Sequence, residues 1–104
     1  SDAKISQSTV VTVVHDAPVE QVMGLLMQAC QSQARVLHEP APLVALSAFG
    51  AEGLEFTVSY WFEDPASGQL GLKSDINLAI LQALRDHGIA MPYPQRLVPA
   101  APKN

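Results

Sequence analysis

Four side chains in this sequence have the chemistry for catalysis or metal binding: the imidazoles of His15, His38 and His87 and the thiol of Cys30. A histidine carries a proton near neutral pH or binds a metal through one ring nitrogen, and a thiolate attacks carbon or holds zinc. Spacing works against both uses. The three histidines fall at a strand end, in a loop and at a helix C-terminus, and no two stand at ligand-pair intervals. His87 is better read as a cation favoured by the helix dipole. Cys30 lies on the apolar stripe of a helix, where a free cysteine behaves as a small hydrophobe.

Phosphate and carboxylate chemistry fare no better. Gly68-Gln69-Leu70-Gly71-Leu72-Lys73-Ser74 opens a helix and ends in Lys-Ser, as phosphate loops do. Leu72, however, separates the second glycine from the lysine, and the gap between the glycines is too short. Glu63 with Asp64, and Glu52 with Glu55, are turn and rim carboxylates with no pocket around them. There is no Gly-x-Ser-x-Gly elbow. The expectation is a protein with no catalytic residue, no metal site and no cofactor.

Length and charge narrow the class further. A chain of 104 residues has room for one domain with one modest core, without a metal or disulfide staple. The net charge of -4, with only six Lys plus Arg scattered along the chain, argues against nucleic acid or an anionic membrane face as partner. No stretch approaches the roughly 20 apolar residues that cross a bilayer, so no direct membrane insertion is expected of these residues. The single cysteine makes no internal disulfide, which fits a reducing compartment. The sequence carries neither signal peptide nor initiator Met and is read as a piece of a longer protein.

The elements follow from periodicity. Residues 1–8 are polar and are expected to be a flexible linker or an expression remnant; 9–98 form the domain; 99–104 are a disordered tail. Thr9 to His15, with valines offered to both faces, reads as an interior strand. Asp16 and Pro18 start a helix whose stripe is Val19, Val22, Met23, Leu26, Ala29 and Cys30, ending near Gln33. Pro40 and Pro42 punctuate an extended link to a second strand, Leu43 to Phe49. Gly50 to Gly53 is a hairpin turn, and Leu54 to Phe62 alternates strictly, with Leu54, Phe56, Val58, Tyr60 and Phe62 on one face. A loop from Glu63 to Leu72 leads to Ser74 as N-cap of a second helix, with Ile76, Ala79, Ile80, Ala83, Leu84 and His87 as its stripe. Gly88 ends that helix, Pro92 and Pro94 stiffen the exit, and Gln95 to Val98 is a short strand. The fold class is α+β on the split β-α-β or ferredoxin-like plan, β-α-β-β-α-β, with two helices on one face of an antiparallel sheet.

Two features point to an interface. Alternation places Trp61 on the face opposite Phe56 and Tyr60, on the side the helices leave open, covered either by the chain's own ends or by a partner. A short terminal strand at Gln95 to Val98 leaves one row of backbone groups for a neighbouring chain, with Arg96 at the junction.

The exit Gly88-Ile89-Ala90-Met91-Pro92-Tyr93-Pro94-Gln95-Arg96 also resembles the close of the cytoplasmic α/β domain in the small-conductance mechanosensitive channel (MscS) family. Arg35 to Val44 is similar to the family's segment between first helix and second strand, and Ser74 to Ile80 to the start of its second helix. The resemblance covers about Val10 to Val98. It implies a non-catalytic cytoplasmic domain of a homo-oligomer, heptameric in the family, on the cytoplasmic side of the bacterial inner membrane. There it helps form a solute-filtering vestibule through which ions and osmolytes leave on hypo-osmotic shock. On this reading Trp61, Pro92, Tyr93, Pro94, Gln95 and Arg96 are the structural or interface residues, and the partners are other copies of the chain and the permeating ions and small solutes. The membrane helices and the small β domain of the family pattern are absent from these residues, and the Pro-Ala tail after Val98 shows no strand for a terminal barrel. The alternative is a free-standing ferredoxin-like regulatory module that binds a small molecule.

Overall fold

The computed structural model describes residues 3–63 and 68–93. Five elements follow one another: β1 (Ile5–Val13), α1 (Val19–Gln31), β2 (Leu43–Phe49), β3 (Leu54–Phe62) and α2 (Gln69–Asp86). The strands form one antiparallel sheet in the order β1-β3-β2. That is the α+β arrangement expected, with β3 at the centre and the split β-α-β plan present through its fifth element. The proposed sixth, Gln95 to Val98, lies outside the described residues, as does the tail 99–104.

The alternation of β3 organises the core. Leu54, Phe56, Val58, Tyr60 and Phe62 are buried beneath the helices. Each such side chain stabilises the fold by roughly 1.5–3 kcal/mol relative to exposure. From α1, Val22, Leu25, Leu26, Ala29 and Cys30 meet this face, and from α2 Leu72, Ile76, Ile80 and Leu84. The hairpin between β2 and β3 closes where the Gly50 N–H donates to the Gly53 carbonyl at 2.8 Å. A Cβ on Gly53 would stand 2.1 Å from the Val13 carbonyl oxygen, so only glycine lets the turn lie against the end of β1.

Several boundaries and positions differ from expectation, and the first strand ends at Val13, two residues before His15. β1 begins at Ile5, so residues 5–8 are sheet and not linker. β3 is nine residues long, and its pairing carries β1 to the same length, from Val13 opposite Leu54 to Ile5 opposite Phe62. β1 is also an edge of the described sheet, not an interior strand, and Val10 is 58% exposed while Val11 and Val13 are buried. α1 stops at Gln31, two residues before Gln33. α2 starts at Gln69, five residues before Ser74, because the added turn brings Leu72 into the i, i+4 series Leu72, Ile76, Ile80, Leu84. Gly68, with φ of 96°, stands at its N-cap in place of Ser74. His87 lies past the helix end and is exposed, not part of the buried stripe.

Candidate assembly interface

The exit from α2 is built by its last buried residue. Leu84 accepts a hydrogen bond at its carbonyl from the Ile89 N–H (2.9 Å), and the Gly88 N–H donates to the Arg85 carbonyl (3.2 Å). This pair of bonds around a residue at φ 66° is a Schellman end, possible here because Gly88 has no Cβ to strain. Ile89 then packs beside Leu84 in the core, 9% exposed. One residue on, the Ala90 carbonyl accepts the Val14 N–H at 3.1 Å, which ties the exit to the end of β1. Beyond this tie the side chains leave the domain: Met91 is 43% exposed and Tyr93 88%. The backbone from Met91 to Tyr93 is not helical, as Pro92 requires. Pro94, Gln95 and Arg96 lie outside the described residues.

Two shallow grooves flank this segment. One, of about 540 Å³, is lined by Val14, His15, Glu52 and residues 90–93. The other, of about 350 Å³, runs along Leu81, Leu84 and Arg85 on α2. The titratable groups on the first are His15, Glu52 and Tyr93, all exposed, with the His15 Nε2 3.2 Å from the Gly50 carbonyl oxygen.

The residues considered for catalysis are scattered. His38 is exposed between α1 and β2, and the His87 Nδ1 lies 2.9 Å from the Ala83 carbonyl oxygen at the end of α2. Cys30 is fully buried, and burial pushes its thiol up to about 11, so it stays protonated and unreactive at neutral pH. Among the described residues no three His, Cys, Asp or Glu side chains come together as metal ligands would.

Trp61 lies on the outer face of β3, half-buried, opposite Ser6 of β1, and its carbonyl accepts the Leu37 N–H at 2.9 Å. The α1-β2 connection therefore runs beside this end of β3. Trp61 and the exit segment are not brought together: Ser6 and Val14 are eight residues apart on one strand direction, about 27 Å at strand rise. The candidate interface thus has two separate parts at opposite ends of β1.

Three contacts escaped the sequence reading. The buried Tyr60 hydroxyl donates to Gln7 Oε1 at 2.5 Å, and burial, with Cys30 adding to it, pushes the phenol up to about 12. The Thr9 hydroxyl, also buried, donates to Asn77 Oδ1 of α2 at 2.7 Å. Arg35 donates to the Gly68 carbonyl at 2.8 Å and stacks over the Phe62 ring, 5.7 Å from its centroid, joining the α1-β2 link to the start of α2. Gln7 and Thr9, two residues apart, are the polar residues on the inner side of β1.

With this geometry in hand, the relatives can be set beside it. A family model described as Mechanosensitive ion channel MscS, C-terminal, matches residues 8–91. An uncharacterised MscS family protein of Synechocystis is 29% identical over 87 residues, which cover 84% of this chain and 29% of that protein. The closed-state structure of Helicobacter pylori MscS superposes with a TM-score of 0.83 at 20% identity, over 98% of this chain and 39% of that one. Arabidopsis thaliana MSL1 superposes with a TM-score of 0.67 at 15% identity, over 88% of this chain and 34% of its own. The chain spans between about a quarter and two fifths of the length of these relatives.

Proposed function

This chain belongs to the mechanosensitive ion channel MscS family, and from that premise we propose that it is a non-catalytic domain on the cytoplasmic side of a bacterial inner-membrane channel. In this reading copies of the domain surround a vestibule that filters solutes, and the assembled homo-oligomer releases ions and osmolytes on hypo-osmotic shock. Permeating ions and small solutes pass between the domains without being transformed. The channel's membrane part is supplied elsewhere, since among the described residues no helix is long and apolar enough to cross a membrane.

The observation that carries this reading is the family match along nearly all of the described fold. The architecture supports it. A buried core underlies the domain, and the chain leaves it through a Schellman end, a backbone tie and a proline, which together fix the exit as far as Pro92. Trp61, Pro92, Tyr93, Pro94, Gln95 and Arg96 are the proposed contact residues between copies.

The test is a chimera in which this chain replaces the segment of the Helicobacter pylori channel on which it superposes. Produced in bacteria lacking their own mechanosensitive channels, it is expected to restore survival on osmotic downshock and to give tension-gated currents in membrane patches. A chimera that reaches the membrane and assembles but passes no current would overturn the reading. So would a saturable thermal shift of the domain with one member of a metabolite panel, which would favour the regulatory module.

A further inference from the structure

The sequence offers α2 two places to begin, and the structure uses the weaker one. At Gln69 the helix opens behind Gly68, which has no side chain to accept an orphan amide. The first turn holds no acid, while Arg35 and Lys73 at this end are positive, the sign that the start of a helix disfavours. Five residues on stands Ser74, a capping side chain followed at once by the negative Asp75. A helix begun there keeps Ile76, Ile80 and Leu84 in the core and gives up only Leu72.

The turn between the two starts is lightly built. Leu70 is 79% exposed, and Gly71 is exposed beside it. A Cβ on Gly71 would meet nothing within 4 Å, and its φ is not positive, so neither packing nor backbone geometry asks for glycine there. Glycine in a helix favours the unwound state about fivefold over alanine. Two contacts hold the turn down: the buried Leu72 side chain and the Arg35 bond to the Gly68 carbonyl. The bond from Thr9 reaches α2 at Asn77, past Ser74, so it fastens the rest of the helix to β1 whether or not the first turn is wound.

We propose that residues 69–73 are a separable first turn. α2 exchanges between a long form that starts at Gln69 and a short form that starts at Ser74, with the sheet, α1 and the remainder of α2 unchanged. Unwinding takes five residues from about 1.5 Å of rise each to about 3.3 Å, which adds roughly 9 Å to the link between β3 and α2. The domain thereby has one place where it lengthens while the rest of its core stands. This exchange belongs to the chain by itself, whether or not the chain is part of a channel.

Native-state hydrogen exchange on the full chain, read amide by amide, tests it. In the long form the N–H groups of residues 72 to 76 bond back to the carbonyls of residues 68 to 72; in the short form those bonds are gone, and the Ser74 hydroxyl takes the Asn77 N–H. The five amides are expected to exchange with one shared opening constant, at least about 100-fold larger than that of Leu78 to Leu84. Ser74→Ala, which removes the second start, is expected to lower that constant about tenfold. Gly71→Ala should lower it about fivefold and Leu72→Ala raise it at least about tenfold. Opening constants that climb in graded steps along residues 72 to 76, as in simple fraying, would overturn the proposal. So would a constant for Ser74→Ala as large as that for Ser74→Asp, which keeps a capping side chain.

Discussion

On the side of the sheet turned to the helices, β3 presents Leu54, Phe56, Val58, Tyr60 and Phe62, all buried; one residue along, Glu55, Thr57, Ser59 and Trp61 are only half-covered. The same nine residues thus serve two surfaces of different kinds. On β1 the inner side even includes polar groups, but Gln7 and Thr9 each have a partner, Tyr60 and Asn77. Its outer side offers Ser6, Ser8 and Val10 exposed. The difference teaches that the fold is decided on one face, which leaves the other free to be shaped by contacts outside the domain.

The sharpest way to break this contrast is to hollow the inner face. Phe56→Ala is expected to cost about 3–5 kcal/mol, read from the denaturant midpoint at constant m-value. A loss comparable to that of an outer-face residue would mean the two faces do not differ as described. Alkaline pH attacks the same face without mutation. Cys30 rises from about 9 to about 11 and Tyr60 from about 10 to about 12, so the native state holds protons that the unfolded chain releases. Their contribution is fully present below about pH 9 and is lost as pH climbs through 11 and then 12. Denaturation series across this window should show stability falling, and Cys30→Ala should remove the earlier part of the fall. A flat profile would contradict the burial of both groups.

Smaller effects sharpen the contrast. Tyr60→Phe removes the donor to Gln7 and should cost about 1 kcal/mol, with the core otherwise intact. On the outer face Ser59→Ala should stay within about 0.5 kcal/mol. A larger loss from Ser59 than from Tyr60 would invert the assignment of the faces.

The bounds of β3 were legible from its strict alternation, and those of β2 from the prolines before it and the Gly-x-x-Gly turn after it, whereas the shift of register between Leu46 and Ala48 was not. The end of α2 was legible because Gly88 followed by proline admits few backbone paths. The start of β1 was hidden because Ser6, Gln7 and Ser8 look like linker, and only pairing with the far end of β3 makes them strand. The start of α2 was hidden by Gly68 and Gly71, whose loop character yields to the burial of Leu72. At the candidate interface, the position of Pro92 and Tyr93 outside the core was readable locally. The separation of Trp61 from them was not, nor were the bonds of Tyr60 to Gln7 and Thr9 to Asn77, which join residues 53 and 68 positions apart. Such contacts depend on topology, and no local pattern encodes them.

The single bond from Val14 to Ala90 has a mechanical consequence. It sits where the first strand hands over to the first helix and where the last helix releases the chain, so a pull on the residues after Tyr93 is divided there between sheet and helix. A load large enough to part that amide from its carbonyl would pass to the Thr9–Asn77 bond, the deeper tie between the last helix and the first strand, and exchange of the Val14 amide proton would report the moment it happens.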